Sequence, residues 1–522
     1  MNNPERLLPL DQAARAHLEI VPQENLPQIR VNNRQLRDIS LDCLHAITSS
    51  NQPPYLFARG GEPVYIVADE YGRRKITSLN ATFLCGQLTR TADFFSDTER
   101  GPTSVNPPMP AVSDLLSRPI CEWSLPPLVA ISEIPVLRPD GSVVDKPGYD
   151  AETRSFYIPS PKLRIPPILK QPGSRDVEAA VAFIEDGIGD FPWVDDASRT
   201  NAVAMMLAPI LRPAIAGCIP LALCDAPQAG SGKSLLIDVL AQVHTGAAAA
   251  MKPAPEGNDE EWRKTLTASI YTGNQLTIFD NVDETLESPA LAMAVTAEIW
   301  TDRILGRTAS ITVPQRTVFV VTGNNISLGG DLPRRCYWIR LDAKMPRPWQ
   351  GRTFRHPRLK VWIKQNRGKF LWALLTIASA WYAAGRPKAD TPILGSFEEW
   401  CEVTGGILGF AGINGFLGNL TDLYQNGDPS EAQWGAFLRA VHSTFGDKNF
   451  TVKQLLKKEL LGYGHISEAI PDELEQPWSK GNTRTVGRAF LRRLHRRTGD
   501  DGLYLEKAGE AGGVALWRVE AS

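Results

Sequence analysis

The residues best suited to chemistry lie in one stretch, positions 226–234, Ala-Pro-Gln-Ala-Gly-Ser-Gly-Lys-Ser. An apolar run at 219–224 precedes it, and Leu-Leu-Ile-Asp-Val-Leu-Ala at 235–241 follows. That order reads strand, glycine loop, helix, the context a phosphate-binding loop requires. Successive backbone N–H groups of such a loop point inward and cradle anionic oxygens, and the following helix adds its positive end. The expected nucleotide-binding residues are therefore Pro227, Gln228, Ala229, Gly230, Ser231, Gly232, Lys233, Ser234 and Leu235. Gly230 and Gly232 let the backbone approach the phosphates with no Cβ in the way. Lys233 is placed to reach the β- and γ-phosphates, and the Ser234 hydroxyl to ligate Mg²⁺. The loop departs from G-x-x-x-x-G-K-[ST] at its first position, where Pro227 replaces glycine; a fixed φ still makes the turn.

A second carboxylate-bearing element follows. Gln-Leu-Thr-Ile-Phe-Asp at 275–280 is a buried strand closing on Asp280, a Walker B pattern in which the aspartate holds Mg²⁺. The next position usually carries the glutamate that polarises water; here it is Asn281. Asp283 and Glu284 follow closely, and either one is a candidate base. A third strand, Thr-Val-Phe-Val-Val-Thr-Gly-Asn-Asn at 317–325, ends in two amides; Asn324 is favoured over Asn325 to hold the lytic water. Arg334 and Arg335 then precede an apolar strand at 336–341. As a plain surface pair they carry no role, but facing a neighbour's nucleotide they stabilise transition-state charge in trans.

Phosphate loop, Asp-ending strand, Asn-ending strand and Arg-Arg before a last strand, in that order over 219–341, resemble an AAA+ ATPase core. The Thr-Gly-Asn-Asn version is similar to superfamily 3 helicases and to the primase-helicase proteins of phages, plasmids and integrated islands. The resemblance implies a five-stranded parallel core, a hexameric ring, ATP with Mg²⁺, and DNA translocation. It also implies that the hairpin expected around Gly306-Arg307 enters the ring channel, with Arg307 and Arg303 on the DNA backbone; the plain alternative is an exposed turn.

These elements need a scaffold. Residues 1–175 are rich in proline and turns and read as an α+β accessory domain, with Gly60-Gly61 and Asp140-Gly141 as tight turns and strands at 64–67 and 155–158. This region has no Asp-x-Asp pair for a two-metal primase site, and Arg59, Arg73, Arg74 and Lys75 read as a solvated basic surface. Residues 176–345 are the expected ATPase core, opened by two helical segments. Residues 346–429 are a helical lid, in which 370–382 is apolar nearly all round and so buried; Arg352 and Arg355 are its candidate nucleotide arginines. Residues 430–522 read as helix, helix, helix, hairpin, a winged helix. Its third helix is expected over 483–497, with Val486, Gly487, Phe490, Leu491 and Leu494 inward and Arg484, Arg488, Arg492 and Arg496 on a DNA-facing side; a protein-contacting or merely solvated basic face is the alternative.

Composition sets the bounds. A chain of 522 residues exceeds one core, so three or four domains are expected. Hydrophobic content of 43% and net charge −2 are ordinary for a soluble protein, so any nucleic-acid footprint is local. Seven scattered cysteines without a Cys-x-x-Cys argue against structural zinc and a disulfide framework, and no metal besides Mg²⁺ is expected. With no apolar run of bilayer length and no leader pattern, the expectation is a cytoplasmic protein. The functional reading is an ATP-dependent DNA helicase of a mobile element or phage, working as a homo-oligomeric ring with a possible primase or initiation partner. The alternatives are a protein-remodelling or switch ATPase without unwinding and, against the lid and tail, a small-molecule kinase.

Overall fold

The computed structural model describes residues 26–521 except 71, 73, 256, 283–284, 304–309, 349–351, 428, 460–464 and 499–500. The chain divides into two compact units. One comprises residues 1–282, 289–324 and 335–417, and the other residues 283–288, 325–334 and 418–522.

The first unit is built on a five-stranded, all-parallel sheet. Its elements in chain order are α1 (Ser174–Ile188), α2 (Asp196–Leu211), β1 (Leu221–Ala226), α3 (Lys233–Thr245), β2 (Met251–Pro253), α4 (Asp259–Tyr271), β3 (Leu276–Val282), α5 (Pro289–Thr296), β4 (Ile299–Arg303), β5 (Ser310–Pro314), β6 (Val318–Asn324), β7 (Cys336–Arg340), α6 (Leu359–Ala383) and α7 (Glu398–Phe410). The strand order is β2-β3-β6-β1-β7. Parallel strands covered on both faces read as unbroken apolar runs. Accordingly every residue of β1 is buried, as are the first six of β6. Register sets the site: Ala226 lies opposite Asn324 and Val282 opposite Gly323, so three strand ends converge at the carboxyl edge of the sheet. β3 carries Asp280 inside the strand, at a register shift between Phe279 and Val282 where Asn281 adopts φ +60°.

The helices follow from the same burial pattern. Residues 197–211 of α2 are buried all round apart from Arg199, and Asp195 caps the helix by accepting from the Ser198 N–H. α6 packs against α1 and α3, with Phe370, Leu374, Ile377 and Trp381 fully buried. Gly246 ends α3 in the left-handed region at φ +72°.

The N-terminal part of this unit mixes helices with small sheets. Leu56–Arg59, Glu62–Ala68 and Arg74–Ser78 form an antiparallel sheet, with Arg59 opposite Glu62. Gly60 and Gly61, both at positive φ, make the tight turn between them. One expectation is corrected. Arg59 is not surface but 4% exposed, and its guanidinium donates to the carbonyls of Leu128, Val129, Ile270 and Tyr271. Arg73 lies outside the described residues.

In the second unit, α8 (Pro429–Phe445), α9 (Val452–Glu459), α10 (Asp472–Ser479), α11 (Thr483–Arg492) and the antiparallel pair β8 (Tyr504–Ala511) and β9 (Val514–Glu520) enclose a core of Trp434, Phe437, Phe490 and Trp517. Thr451 caps α9, accepting from the Gln454 N–H at 3.1 Å while Gln454 Oε1 accepts from the Thr451 N–H at 2.8 Å. Two expectations change. A further helix, α10, precedes the basic one, so among the described residues of 430–522 four α-helices rather than three stand before the hairpin. The basic helix ends at Arg492, not Arg497, because the chain turns into the hairpin: the His495 N–H bonds the Leu505 carbonyl, and Leu494 bridges to Leu505. Arg496 is therefore off the helix and ion-paired to Glu431 at 2.6 Å. Leu491, expected inward, is exposed.

Candidate nucleotide site

The loop at 227–232 joins strand β1, which lies between β6 and β7, to α3, and its glycines give it the backbone freedom an anion cradle needs. Gly230 and Gly232 sit at φ +82° and +109°, conformations side chains rarely adopt. Ser231 Oγ donates to the Gln228 carbonyl at 2.8 Å and closes the loop on itself. Gln228 Nε2 donates to the Met345 carbonyl at 2.6 Å, fastening the loop from outside. A Cβ on Gly232 would stand 3.4 Å from the Phe191 ring, so this glycine also admits the wall opposite.

The loop floors a cavity of roughly 780 Å³, which Lys233, Ser234, Leu235, Asp280 and Asn324 all line. Lys233 Nζ donates to Asn324 Oδ1 at 2.5 Å, so two residues 91 positions apart meet at the carboxyl edge of the sheet. Partial burial pulls the Lys233 ammonium below its ordinary pKa, and the carboxylates of Asp225 and Asp280 oppose that pull. Asp280 Oδ1 accepts from Thr322 Oγ1, and the same hydroxyl accepts from the Asn281 N–H at 3.2 Å. Asp283 and Glu284 lie outside the described residues.

The remaining walls come from two further segments. One is the end of α1 and the α1–α2 connection, with Asp186, Asp190 and Phe191, which the sequence did not single out; the other is the stretch before and into α6, where the sequence marked only arginines and the structure adds Phe354, His356 and Val361. These added residues are chemically ordinary and far apart in sequence, so no spacing marks them. Of the two lid arginines, Arg352 lines the cavity, donating to the Asp190 carbonyl at 2.6 Å. Arg355 pairs with the Asp190 carboxylate at 3.4 Å instead. His356 Nε2 stands 3.1 Å from Asp186, its ring stacked on Trp362. Thr322, also missed, had a legible signal: it is the hydroxyl two residues before Asn324 on a strand whose side chains alternate.

The donor set fits a nucleoside triphosphate with a hard divalent cation. Backbone N–H groups and an ammonium suit phosphate, while one hydroxyl and one carboxylate suit Mg²⁺. Arg334 and Arg335 do not line this cavity. Arg334 is exposed and pairs with Asp331 at 2.6 Å. Arg335 is half-buried, donating to Thr296 Oγ1 at 2.8 Å and to the Ala292 carbonyl.

The expected hairpin is present as the antiparallel pair β4–β5, in register from Ile299 opposite Pro314 to Arg303 opposite Ser310. Its tip, including Arg307, lies outside the described residues. One face is buried through Trp300, Ile311 and Val313; the other exposes Thr301, Arg303, Ser310 and Thr312. On α11, Arg484, Arg488 and Arg492 are exposed, and Arg492 pairs with Glu473 at 3.0 Å.

No helix among the described residues is long and apolar enough to cross a membrane. No family model matches the chain, and no curated protein matches it. Among solved structures, an apo A form of the NrS-1 C-terminal region covers 88% of this chain and 96% of its own, at 12% identity and TM-score 0.38. An apo A form of the same region spanning 305–718 gives 11% identity and TM-score 0.36 over the same shares. The SCCmec type IV Cch protein, described as an active helicase, covers 77% of this chain and 78% of its own at 12% identity and TM-score 0.31. At that level of likeness neither fold nor function transfers.

Proposed function

We propose that the chain is an ATP-dependent DNA helicase or translocase of a replicating mobile element, working as a ring of six copies with ATP between neighbours. The observation that carries this reading is the Lys233–Asn324 contact over a phosphate loop, with Asp280 and Thr322 alongside. In this reading residues 176–345 are the ATPase core, 346–429 the lid and 430–522 a winged helix on DNA.

Lys233 trades Asn324 Oδ1 for the β- and γ-phosphate oxygens when nucleotide enters. The Asn324 amide is thereby released to orient the attacking water. Ser234 and Asp280 would hold Mg²⁺, whose chemistry is to neutralise charge on the phosphoryl group in transfer. The Thr322 hydroxyl, donating to Asp280, keeps that carboxylate turned toward the site. Arg334 or Arg335 reaches the nucleotide of an adjacent copy, Arg335 by exchanging its bonds to Ala292 and Thr296. Arg303 with the hydroxyls of Thr301, Ser310 and Thr312 offers a donor face to a phosphate backbone.

The test is ATP-driven unwinding of forked DNA by the full chain. Lys233→Ala is expected to lower ATP turnover by at least about a hundredfold and to abolish unwinding, by analogy with other removed transition-state donors. Retained turnover in that variant would remove the phosphate-loop assignment. A second reading, a switch or remodelling ATPase, is favoured by Asn281, which puts an amide where a carboxylate base usually stands. Ring formation and ATP binding with no action on forked DNA would select it.

A further inference from the structure

Helix α4 lies between two features far apart in sequence, the N-terminal antiparallel sheet and the β4–β5 hairpin. Its carboxyl end is fastened to the sheet. The Arg59 guanidinium donates to the Ile270 carbonyl at 2.7 Å and the Tyr271 carbonyl at 3.3 Å, the last two of the helix, and holds Leu128 and Val129 carbonyls on its other side. A cation there also meets the negative end of the helix dipole. The Ile76 N–H bonds the Thr272 carbonyl at 3.2 Å. Glu62 Oε1 accepts from the Tyr271 hydroxyl and from Ser78 Oγ, both at 2.8 Å. A Cβ on Gly273 would come within 2.6 Å of Ile76, so the surfaces are in close contact.

The same helix holds the base of the hairpin. Thr267 Oγ1 donates to Asp302 Oδ2 at 2.5 Å and accepts from Trp300 Nε1 at 3.0 Å, and Arg263 stands 3.6 Å from Asp302. The sheet also touches the hairpin directly: a Cβ on Gly60 would stand 3.1 Å from Val313 Cγ1. The hairpin base is thus gripped from α4 and from the Gly60 turn. An apolar residue at position 59 would fill the space, but only directional bonds to terminal carbonyls fix α4 along its axis.

We propose that the N-terminal sheet is the seat of the hairpin, and that Arg59 and Tyr271 are positioning residues that set where its Arg303-bearing face stands against nucleic acid. This gives residues 56–78 a role in the DNA-coupled reaction, and it rests on the reading of that face as a phosphate contact.

The test uses the full chain as Arg59→Met and as the milder Tyr271→Phe, which removes one hydroxyl and stays folded if the first does not. Amide exchange is expected to quicken about tenfold over 299–303 and 310–314, local opening being separable from global unfolding. Exchange over 233–245 and 318–324 should not change. ATP turnover without DNA should match the parent, while the increment added by single-stranded DNA should fall several-fold. Unchanged hairpin exchange in folded variants would overturn the proposal, as would faster exchange spread equally over α3 and β6. Full DNA stimulation despite a loosened hairpin would overturn it too, provided that Arg303→Ala abolishes the stimulation. If Arg303→Ala leaves DNA stimulation intact, the phosphate-contact reading fails separately, and the exchange result still decides whether the sheet seats the hairpin.

Discussion

A single buried imidazole shows how residue chemistry constrains this fold. His244, in the last turn of α3, is pushed down to about 3 by burial and by the Arg367 guanidinium beside it. Its folded value lies below its unfolded one, so between about pH 6.5 and 3 the unfolded chain binds the extra proton. Stability is present above that window and is lost as pH falls through it, by up to about 1.4 kcal/mol per unit. Urea unfolding of the parent is expected to lose about 2 kcal/mol more between pH 7 and pH 5 than that of His244→Leu. Equal losses in the two proteins would show that the site admits the proton when folded. Lys233 runs in the same direction at high pH, its burial making the charged form costlier in the fold than in the open chain.

At the scale of elements, two helices of the core are fastened at their carboxyl ends by arginines from elsewhere. Arg59 does so for α4, and Arg367, donating to the Val243 and His244 carbonyls at 2.9 Å, does so for α3. Gly246 makes room for the second: a Cβ there would lie 2.7 Å from the Arg367 guanidinium, at a φ that favours glycine. Gly246→Ala should therefore lower stability by about 1–2 kcal/mol from backbone strain alone, and more once Arg367 is displaced; thermal unfolding reads it. On α11, Arg484→Glu with Arg488→Glu should weaken DNA binding and flatten its log–log salt slope by about 2, one for each lost phosphate contact. An unchanged slope would assign that face elsewhere. Four strands of the sheet were legible because a covered parallel strand is apolar nearly throughout, and the phosphate loop because its glycines and lysine have fixed spacing; the edge strand β2 was not, being three residues long with Lys252 and Pro253. The end of α11 was not legible. Residues 493–497 suit a helix locally, and what ends it is the pull of Leu505 together with Glu431, 62 positions from Arg493. Arg59 was misread for the same reason, since its acceptors lie 69 to 212 positions away. α10 escaped notice because it is eight residues long and contains Pro477.

For the molecule as a whole, the division into two units carries a prediction of its own. The second unit has a core assembled from its own helices and hairpin, with Trp434, Phe437, Phe490 and Trp517 each no more than 2% exposed. A fragment spanning 418–522 should therefore unfold cooperatively with dispersed side-chain signals, as an independent domain does. A non-cooperative melt would mean that this core needs the rest of the chain. The four expected regions were drawn from composition and motif order, which mark where the chemistry lies. They do not show that residues before the phosphate loop and residues after the last strand close the same cavity through Asp190 and Arg352.

The fastening of α3 has a temporal consequence. Val243 and Arg367 are 124 positions apart, and the cavity wall at 352–361 is synthesised just ahead of that arginine. A nascent chain paused after β7 already holds all five strands and the phosphate loop, yet the helix behind the loop still has open carbonyls and the pocket lacks a side. Translation is slow beside helix formation, at about 5–20 residues per second, so the ribosome exposes this half-finished state for seconds. Closure of the cavity over this loop is thereby postponed until α6 has emerged.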